Sequence, residues 1–396
     1  MVPANGLPEV LRVFRKHYES CDAAAREWKS KGGRVVGYLC DKVPDEIIEA
    51  AGFLPVRLRG SPSFNPEMAD RYLEPFYEGF VRSILCKLLT NQYDYLDFLV
   101  IPHSRDTITN LYGALLEIQH LDPNITLPHC FFFETLHSSH YATQVYNRER
   151  LSHFRRQLEE WAGKPISDQD LQQAITTKRE ATTLLSAVAA LRKQNPPLLS
   201  GTEALTIAAT AVSMPREQHN KLLRQLLENA DQLPKKEGVR IHVSGSPQDN
   251  LQLYELIESC GAVVVSEDHC WGLRAPNSSP ASTTDPLEAI ARTYEAKPPC
   301  PHTYPIRSRV DYCLWTRLQA NADAVLFWIN EWDYAQIWEY PDVKTALDKK
   351  GIPYICFTNK PYSLSEQDRE DIKSTIHDFL QTVRGENGGR SRNSRV

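Results

Sequence analysis

The stretch Val36-Gly-Tyr-Leu-Cys-Asp-Lys-Val-Pro-Asp-Glu-Ile-Ile-Glu-Ala-Ala-Gly-Phe-Leu-Pro-Val reads as an apolar strand, a proline–acid turn, one helix, a glycine stop and a second strand. Proline followed by acids suits the first turn of a helix, whose N–H groups lack partners and whose dipole is positive. The same plan returns at Ile241-His-Val-Ser-Gly-Ser-Pro-Gln-Asp-Asn-Leu-Gln-Leu-Tyr-Glu-Leu-Ile-Glu-Ser-Cys-Gly-Ala-Val-Val-Val. The third strands correspond too: Asp97-Phe-Leu-Val-Ile-Pro-His-Ser-Arg in one half, Asp323-Ala-Val-Leu-Phe-Trp in the other. Two similar halves are expected to face each other.

Outward from these copies, short apolar runs recur at Val35 to Cys40, Leu54 to Leu58, Phe98 to Ile101, Cys130 to Phe133, Val239 to Val243, Ala262 to Val265, Ala324 to Trp328 and Tyr354 to Phe357. They are too short for helices and do not alternate strictly, which suits parallel strands covered on both faces. The expected fold class is α/β, with two Rossmann-like or flavodoxin-like parallel-sheet domains and a helical connector. The expected divisions are an N-terminal helical segment 1–34, a first α/β domain 35–140, the connector 141–237, a second α/β domain 238–383 and a disordered tail 384–396. Within the connector Ser167 stands as an N-cap with Asp170 three residues on, and Asn195-Pro-Pro stops a helix before Ser200-Gly201.

Composition narrows the function classes. Hydrophobic residues make up 41% and charged residues 24% of 396, ordinary for a globular chain of more than one domain. The 45 Lys+Arg stand against 50 Asp+Glu, a net charge of -5, so the basic surplus of a nucleic-acid binder is missing. The start of the chain carries no secretory pattern and no apolar run reaches the ~18 residues of a membrane span, so a cytoplasmic protein that is not embedded in a membrane is expected. Nine cysteines without a Cys-x-x-Cys pair argue for reduced thiols, with Cys40, Cys130 and Cys356 packed as small hydrophobes.

Ligands of open parallel sheets bind beyond the carboxyl ends of strands, so the loops after Leu39, Ile101, Val243, Val265 and Phe327 are expected to line one cleft. At those ends, Gly245 and Ser246 are read either as N–H donors to a phosphate or pantetheine, or as a plain helix cap. His103 is read as an acid or base, or as a structural donor. Glu267-Asp268-His269-Cys270 cannot all reach one ion from an extended segment, so no metal site is expected. Trp332, Trp338 and Tyr340 are read as the roof or rim of the cleft, or as a platform for an aryl group. Neither a Gly-x-Ser-x-Gly elbow nor a Walker loop occurs.

Several blocks in order resemble the 2-hydroxyacyl-CoA dehydratase and benzoyl-CoA reductase family over nearly the full length. They are the Gly37 to Val56 stretch, Tyr93-Asp-Tyr-Leu-Asp-Phe-Leu-Val-Ile-Pro-His, Gly163-Lys-Pro-Ile-Ser-Asp-Gln-Asp-Leu-Gln-Gln-Ala-Ile, Ser244-Gly-Ser-Pro-Gln-Asp-Asn, Trp338-Glu-Tyr-Pro-Asp-Val-Lys and Gly351-Ile-Pro-Tyr. The resemblance implies paired, related α/β subunits that act on acyl-CoA and carry iron–sulfur clusters. It also places Glu78, Arg105 and Asp333 where relatives carry cluster cysteines, and Cys40-Asp41-Lys42 where they often offer a hydroxyl near the substrate.

Clusters need soft thiolates; carboxylates are hard and a guanidinium cannot ligate. No cofactor is therefore expected on this chain, a [4Fe-4S] cluster is expected on a partner, and Arg105 is expected to sit between Glu78 and Asp333 as a salt-bridged plug. Cys40, Cys86 and Cys270 are the candidates for a relocated cluster. Three functions follow. One is a cluster-free, acyl-CoA-binding subunit paired with a relative or with itself. Another is a redox-independent lyase or hydratase on a CoA thioester, with Glu78 or Asp333 as acid or base and Arg105 orienting a carbonyl or carboxylate. The last is a non-catalytic interaction protein.

Overall fold

The computed structural model describes residues 8–138, 140–274, 283–300, 305–385 and 394–395. Of the tail 384–396, all but four residues lie outside these ranges. The first sheet is built from β1 (Val35–Tyr38), β2 (Leu54–Arg57), β3 (Phe98–Pro102) and β4 (His129–Phe133). Its strands are all parallel, in the order β2-β1-β3-β4. The second sheet takes β5 (Val239–Gly245), β6 (Ala262–Glu267), β7 (Ala324–Asn330) and β8 (Tyr354–Lys360) in the matching order β6-β5-β7-β8, again parallel. A two-residue strand, β9 (Ser394–Arg395), runs beside β8. The repeat seen in the sequence is thus a repeat of topology. In each sheet the chain reverses its direction of travel across the strands after the second, which opens a crevice between the first and third.

Both sheets are buried on two faces, as their unbroken apolar runs require. Leu39, Val56, Leu99 and Ile101 pack to one side of the first sheet, while Val36, Tyr38, Val100 and Phe133 pack to the other. The second sheet divides likewise between Val243, Val264, Leu326 and Trp328 on one face and Val325, Phe327 and Cys356 on the other. Its strands outrun their apolar stretches. Ser244 and Gly245 continue the β5 ladder opposite Phe327 and Trp328. The buried polar groups at these ends pair with each other: Ser244 Oγ donates to Asp268 Oδ2 at 2.8 Å, and His242 Nδ1 lies 2.8 Å from Ser266 Oγ. Such pairs satisfy groups that hydropathy alone would expel.

Four helices, Tyr141–Ala162, Asp168–Lys193, Gly201–Thr210 and Arg216–Glu228, separate the sheets. Ser167 and Ser200 each close a capping box, with Asp170 and Glu203 returning the bond. The helix Asp168–Lys193 works as a strut between the lobes. Near its middle Lys178 donates to Glu46 Oε2 of the first lobe at 2.9 Å, and near its end Arg192 forks onto Glu267 of the second. The N-terminal helix Glu9–Glu19 joins the same layer, burying Leu11 and Phe14 with Val188 and Leu223. Among the described residues no helix is long and apolar enough to cross a membrane, and no cysteine is in a disulfide.

Candidate functional site

The carboxyl ends of the strands in both lobes meet at one crossing. The loop after β1 brings Cys40, Asp41 and Lys42, the loop after β3 brings Ser104 and Arg105, and the loop after β6 brings Asp268, His269, Cys270, Trp271 and Arg274 to the wall of a small cavity of about 50 Å³. Gly245 and Pro247 close it from β5.

Glu78, Arg105 and Asp333 come together beside this wall. Arg105 Nη1 is 2.5 Å from Glu78 Oε2 and 3.3 Å from Asp333 Oδ2. The three side chains are 8%, 9% and 2% exposed, so solvent screens their charges little. Each residue is the N-cap of a helix: Glu78 of Gly79–Leu89, Arg105 of Asp106–Leu121 and Asp333 of Tyr334–Lys349. Three positive helix ends thus face one cation and two acids, which helps offset the second carboxylate. Ser246 Oγ donates to Asp333 Oδ2 at 2.7 Å and accepts from Asn330 N–H at 3.0 Å, holding Asp333 in place.

Burial pushes the Glu78 carboxyl up to about 7 against the pull of Arg105, with Asp333 adding to the rise. Its ordinary value is 4.5, so below that pH it is protonated whether folded or unfolded. Between about 4.5 and about 7 only the unfolded chain ionises, and the contribution of Glu78 to stability falls across that window. Urea denaturation of the parent and Glu78→Gln at several pH values is therefore expected to show the parent losing stability relative to the variant as pH rises. A gap that stays constant from pH 4 to 8 would contradict this assignment.

Other residues singled out in the sequence fall elsewhere. His103 is half-exposed, its ring 3.8 Å from Glu134 and its backbone N–H bound to the Phe133 carbonyl, away from the three charges. Ser246 N–H already donates to Trp328 O at 2.7 Å, and Gly245 has φ +111°, where an added Cβ would lie 2.2 Å from that same oxygen. These two residues serve a close backbone crossing rather than a helix cap, because the next helix begins only at Gln252. Of the aromatics read as a roof, Tyr340 packs on Phe327 inside the second lobe, Trp338 is 77% exposed, and Trp332 sits edge-on to Phe76. Cys86 lies in the helix Gly79–Leu89 under Asn65, apart from Cys40 and Cys270.

The sequence reading did not find a second cavity, of about 210 Å³, on the far side of Arg57 and Cys270. Arg57, Lys178, Arg216, Arg274 and Lys297 line it together with Asp41 and Asp45. Burial pushes the Asp41 carboxyl up, but Arg274, Lys297 and Lys42 outweigh it and hold it far below the usual range. Burial lowers the Lys297 ammonium to about 8. No short motif marks this set, since its members come from both lobes and the connector.

The family model described as 2-hydroxyglutaryl-CoA dehydratase, D-component, matches residues 40–383. The chain belongs to that family. The (R)-phenyllactyl-CoA dehydratase beta subunit of Clostridium sporogenes is 22% identical over 90% of this chain and 94% of its own length. A benzoyl-CoA reductase subunit of Thauera aromatica is 23% identical over 93% and 96%. The (R)-2-hydroxyglutaryl-CoA dehydratase subunit beta of Acidaminococcus fermentans is 21% identical over 87% and 92%.

The resemblance implies an iron–sulfur cluster at the positions of Glu78, Arg105 and Asp333, and the donors there do not suit one. Two hard carboxylates and a permanently protonated guanidinium supply no thiolate, and they already pair with one another. In this family member the crossing is an ion-paired junction between lobes.

Proposed function

We propose that this family member is a subunit that binds an acyl-CoA in the cleft between its lobes and works beside a related subunit or a second copy of itself, without an iron–sulfur cluster of its own. The observation that carries this reading is the Arg105 side chain lying between Glu78 and Asp333, where the resemblance calls for sulfur donors. The cation-lined cavity suits an anionic, phosphate-bearing ligand. Relatives named as subunits of enzymes acting on CoA thioesters support both the ligand class and the need for a partner. Cysteines outside disulfides support a reducing, cytoplasmic setting.

Anaerobic purification followed by iron and sulfide analysis, then a thermal-shift series with acyl-CoAs, tests this. The expected result is no stoichiometric iron together with a rise in Tm. A ligand at 100 times its Kd adds about 2.7 kcal/mol. Stoichiometric iron and sulfide bound by this chain alone would overturn the cluster-free reading, and no Tm response to any acyl-CoA would overturn the ligand.

A redox-independent lyase or hydratase acting on a CoA thioester is the second reading. It is favoured by Glu78, whose carboxyl at about 7 is suited to proton transfer near neutrality. Turnover of an acyl-CoA by the isolated chain without a reductant, lost in Glu78→Gln, would select it.

A further inference from the structure

Cys270 stands in the wall shared by the two cavities. Arg57 reaches it from β2 across the gap between lobes: Nη1 donates to the Cys270 carbonyl at 2.8 Å and Nη2 to Cys270 Sγ at 3.0 Å. The guanidinium lies over the Trp271 ring, 3.9 Å from its centre, which locks its plane. Arg57 is 6% exposed, lines both cavities, and its Nε finds no partner among the described residues. Cys40 lies in the wall of the same small cavity, its thiol donating to Asp41 Oδ1 at 3.6 Å. Cys40 is held at φ +60°, in the left-handed region that residues with a Cβ enter at an energetic penalty. Arg274 adds a further positive charge to the same wall.

The thiolate is the reactive form of cysteine, and neighbouring cations and donors stabilise it. The neighbouring Cys40 thiol, with Arg57 and Arg274, lowers the Cys270 thiol to about 5 against burial and the charge of Asp41. Burial instead raises the thiols of Cys86, Cys130, Cys260 and Cys313.

We propose that Cys270 is a nucleophile that accepts an acyl group from a thioester bound in this cleft. The inference rests on the acyl-CoA reading above. The Cys270 thiolate adds its electron pair to the thioester carbonyl carbon. The bond from that carbon to the donor sulfur then breaks, and the donor leaves as a thiolate that takes a proton from solvent. One thioester replaces another, so no redox partner is needed. Negative charge passes from Cys270 Sγ to the carbonyl oxygen and then to the leaving sulfur. Arg57, whose Nη2 meets Sγ, stabilises the starting thiolate, and its positive charge stays beside the site as the negative charge moves.

The full chain, kept reduced with a phosphine, is incubated with butyryl-CoA and with benzoyl-CoA and followed by intact mass, peptide mapping and chromatography of released CoA. The expected result is about one acyl group per chain, located on Cys270, removed by hydroxylamine and matched by free CoA. Cys270→Ser is expected to bind acyl-CoA in the thermal-shift assay without forming the hydroxylamine-labile adduct, and Arg57→Gln to acylate at least about tenfold more slowly. Iodoacetamide alkylation at about pH 6 gives a readout independent of ligand. Cys270 is expected to react about tenfold faster than an ordinary exposed thiol, its larger thiolate fraction being partly offset by lower intrinsic nucleophilicity. Acyl-CoA that raises Tm yet labels another cysteine, or none, overturns this inference and leaves the proposed function standing. Failure of both the Tm shift and the adduct overturns both. Alkylation of Cys270 no faster than the other thiols overturns the inference on its own.

Discussion

Arg105→Leu is expected to destabilise the fold by about 3–5 kcal/mol, the cost of removing one partner from a buried ion network. The Glu78 and Asp333 side chains would remain at 8% and 2% exposure with no counter-ion between them. Three helix N-termini face them, yet a helix end offers only about half a charge at its first turn. The penalty comes from stranded acids rather than from a lost attraction, and this distinction can be measured. Adding Glu78→Gln and Asp333→Asn to the leucine variant removes both charges while keeping side-chain size, and is expected to recover most of the loss. Equilibrium urea denaturation of the parent, the single variant and the triple variant decides it. A leucine variant within about 0.5 kcal/mol of the parent would mean that the three side chains are not coupled as described.

Arg192→Met is expected to cost a similar 3–5 kcal/mol, and to disturb chemistry at a distance. Its guanidinium forks onto Glu267, with contacts of 2.5 and 2.8 Å, and both side chains are 1% exposed. Burial raises the Glu267 carboxyl, but Arg192 outweighs it and holds the group at about 2, so the pair is fully formed at neutral pH and is lost as pH falls through that value. Glu267 also accepts from the Leu273 N–H at 2.7 Å, and so anchors both ends of the loop that carries Cys270. Without the arginine, that loop hangs from an unpaired buried charge. The double variant Arg192→Met with Glu267→Leu is expected to regain stability but not the loop anchor. Denaturation and the Cys270 alkylation rate should therefore separate: stability recovers while alkylation stays slow. Recovery of both, or of neither, would count against Glu267 as the loop's anchor.

Much of the fold was legible because its causes are local. An apolar run short enough for a strand, a capping serine with an acid three residues on, and a glycine stop are decided by a few consecutive residues, so β1 to β8 and the Ser167 cap could be read directly, whereas the Ser200 cap emerged only with the fold. The longer polar ends of β5 and β6 could not. Ser244, Ser266 and Glu267 look like loop residues until Asp268, His242 and Arg192 arrive to satisfy them.

The candidate site divides in the same way. Strand-end topology and the family resemblance brought Glu78, Arg105 and Asp333 onto one short list, and the fold brings their side chains into contact. The same topological argument placed Gly245 and Ser246 at the cleft, but could not show that Trp328 O already takes the Ser246 N–H. Cys270 was singled out only as a possible metal or cluster ligand, because Arg57 is 213 residues away in the chain.

By itself, then, the order of residues determined two α/β repeats, a helical spacer with defined caps, and the strand ends where chemistry would gather. Tertiary structure alone decided that Arg192 pairs with Glu267, that Arg57 meets the Cys270 sulfur, and that a cation-lined cavity opens behind the crossing. The reason is physical: periodicity and capping act over one or two turns of chain, whereas an ion pair or a thiolate depends on burial and on partners that only the closed, parallel-sheet topology brings within about 3 Å.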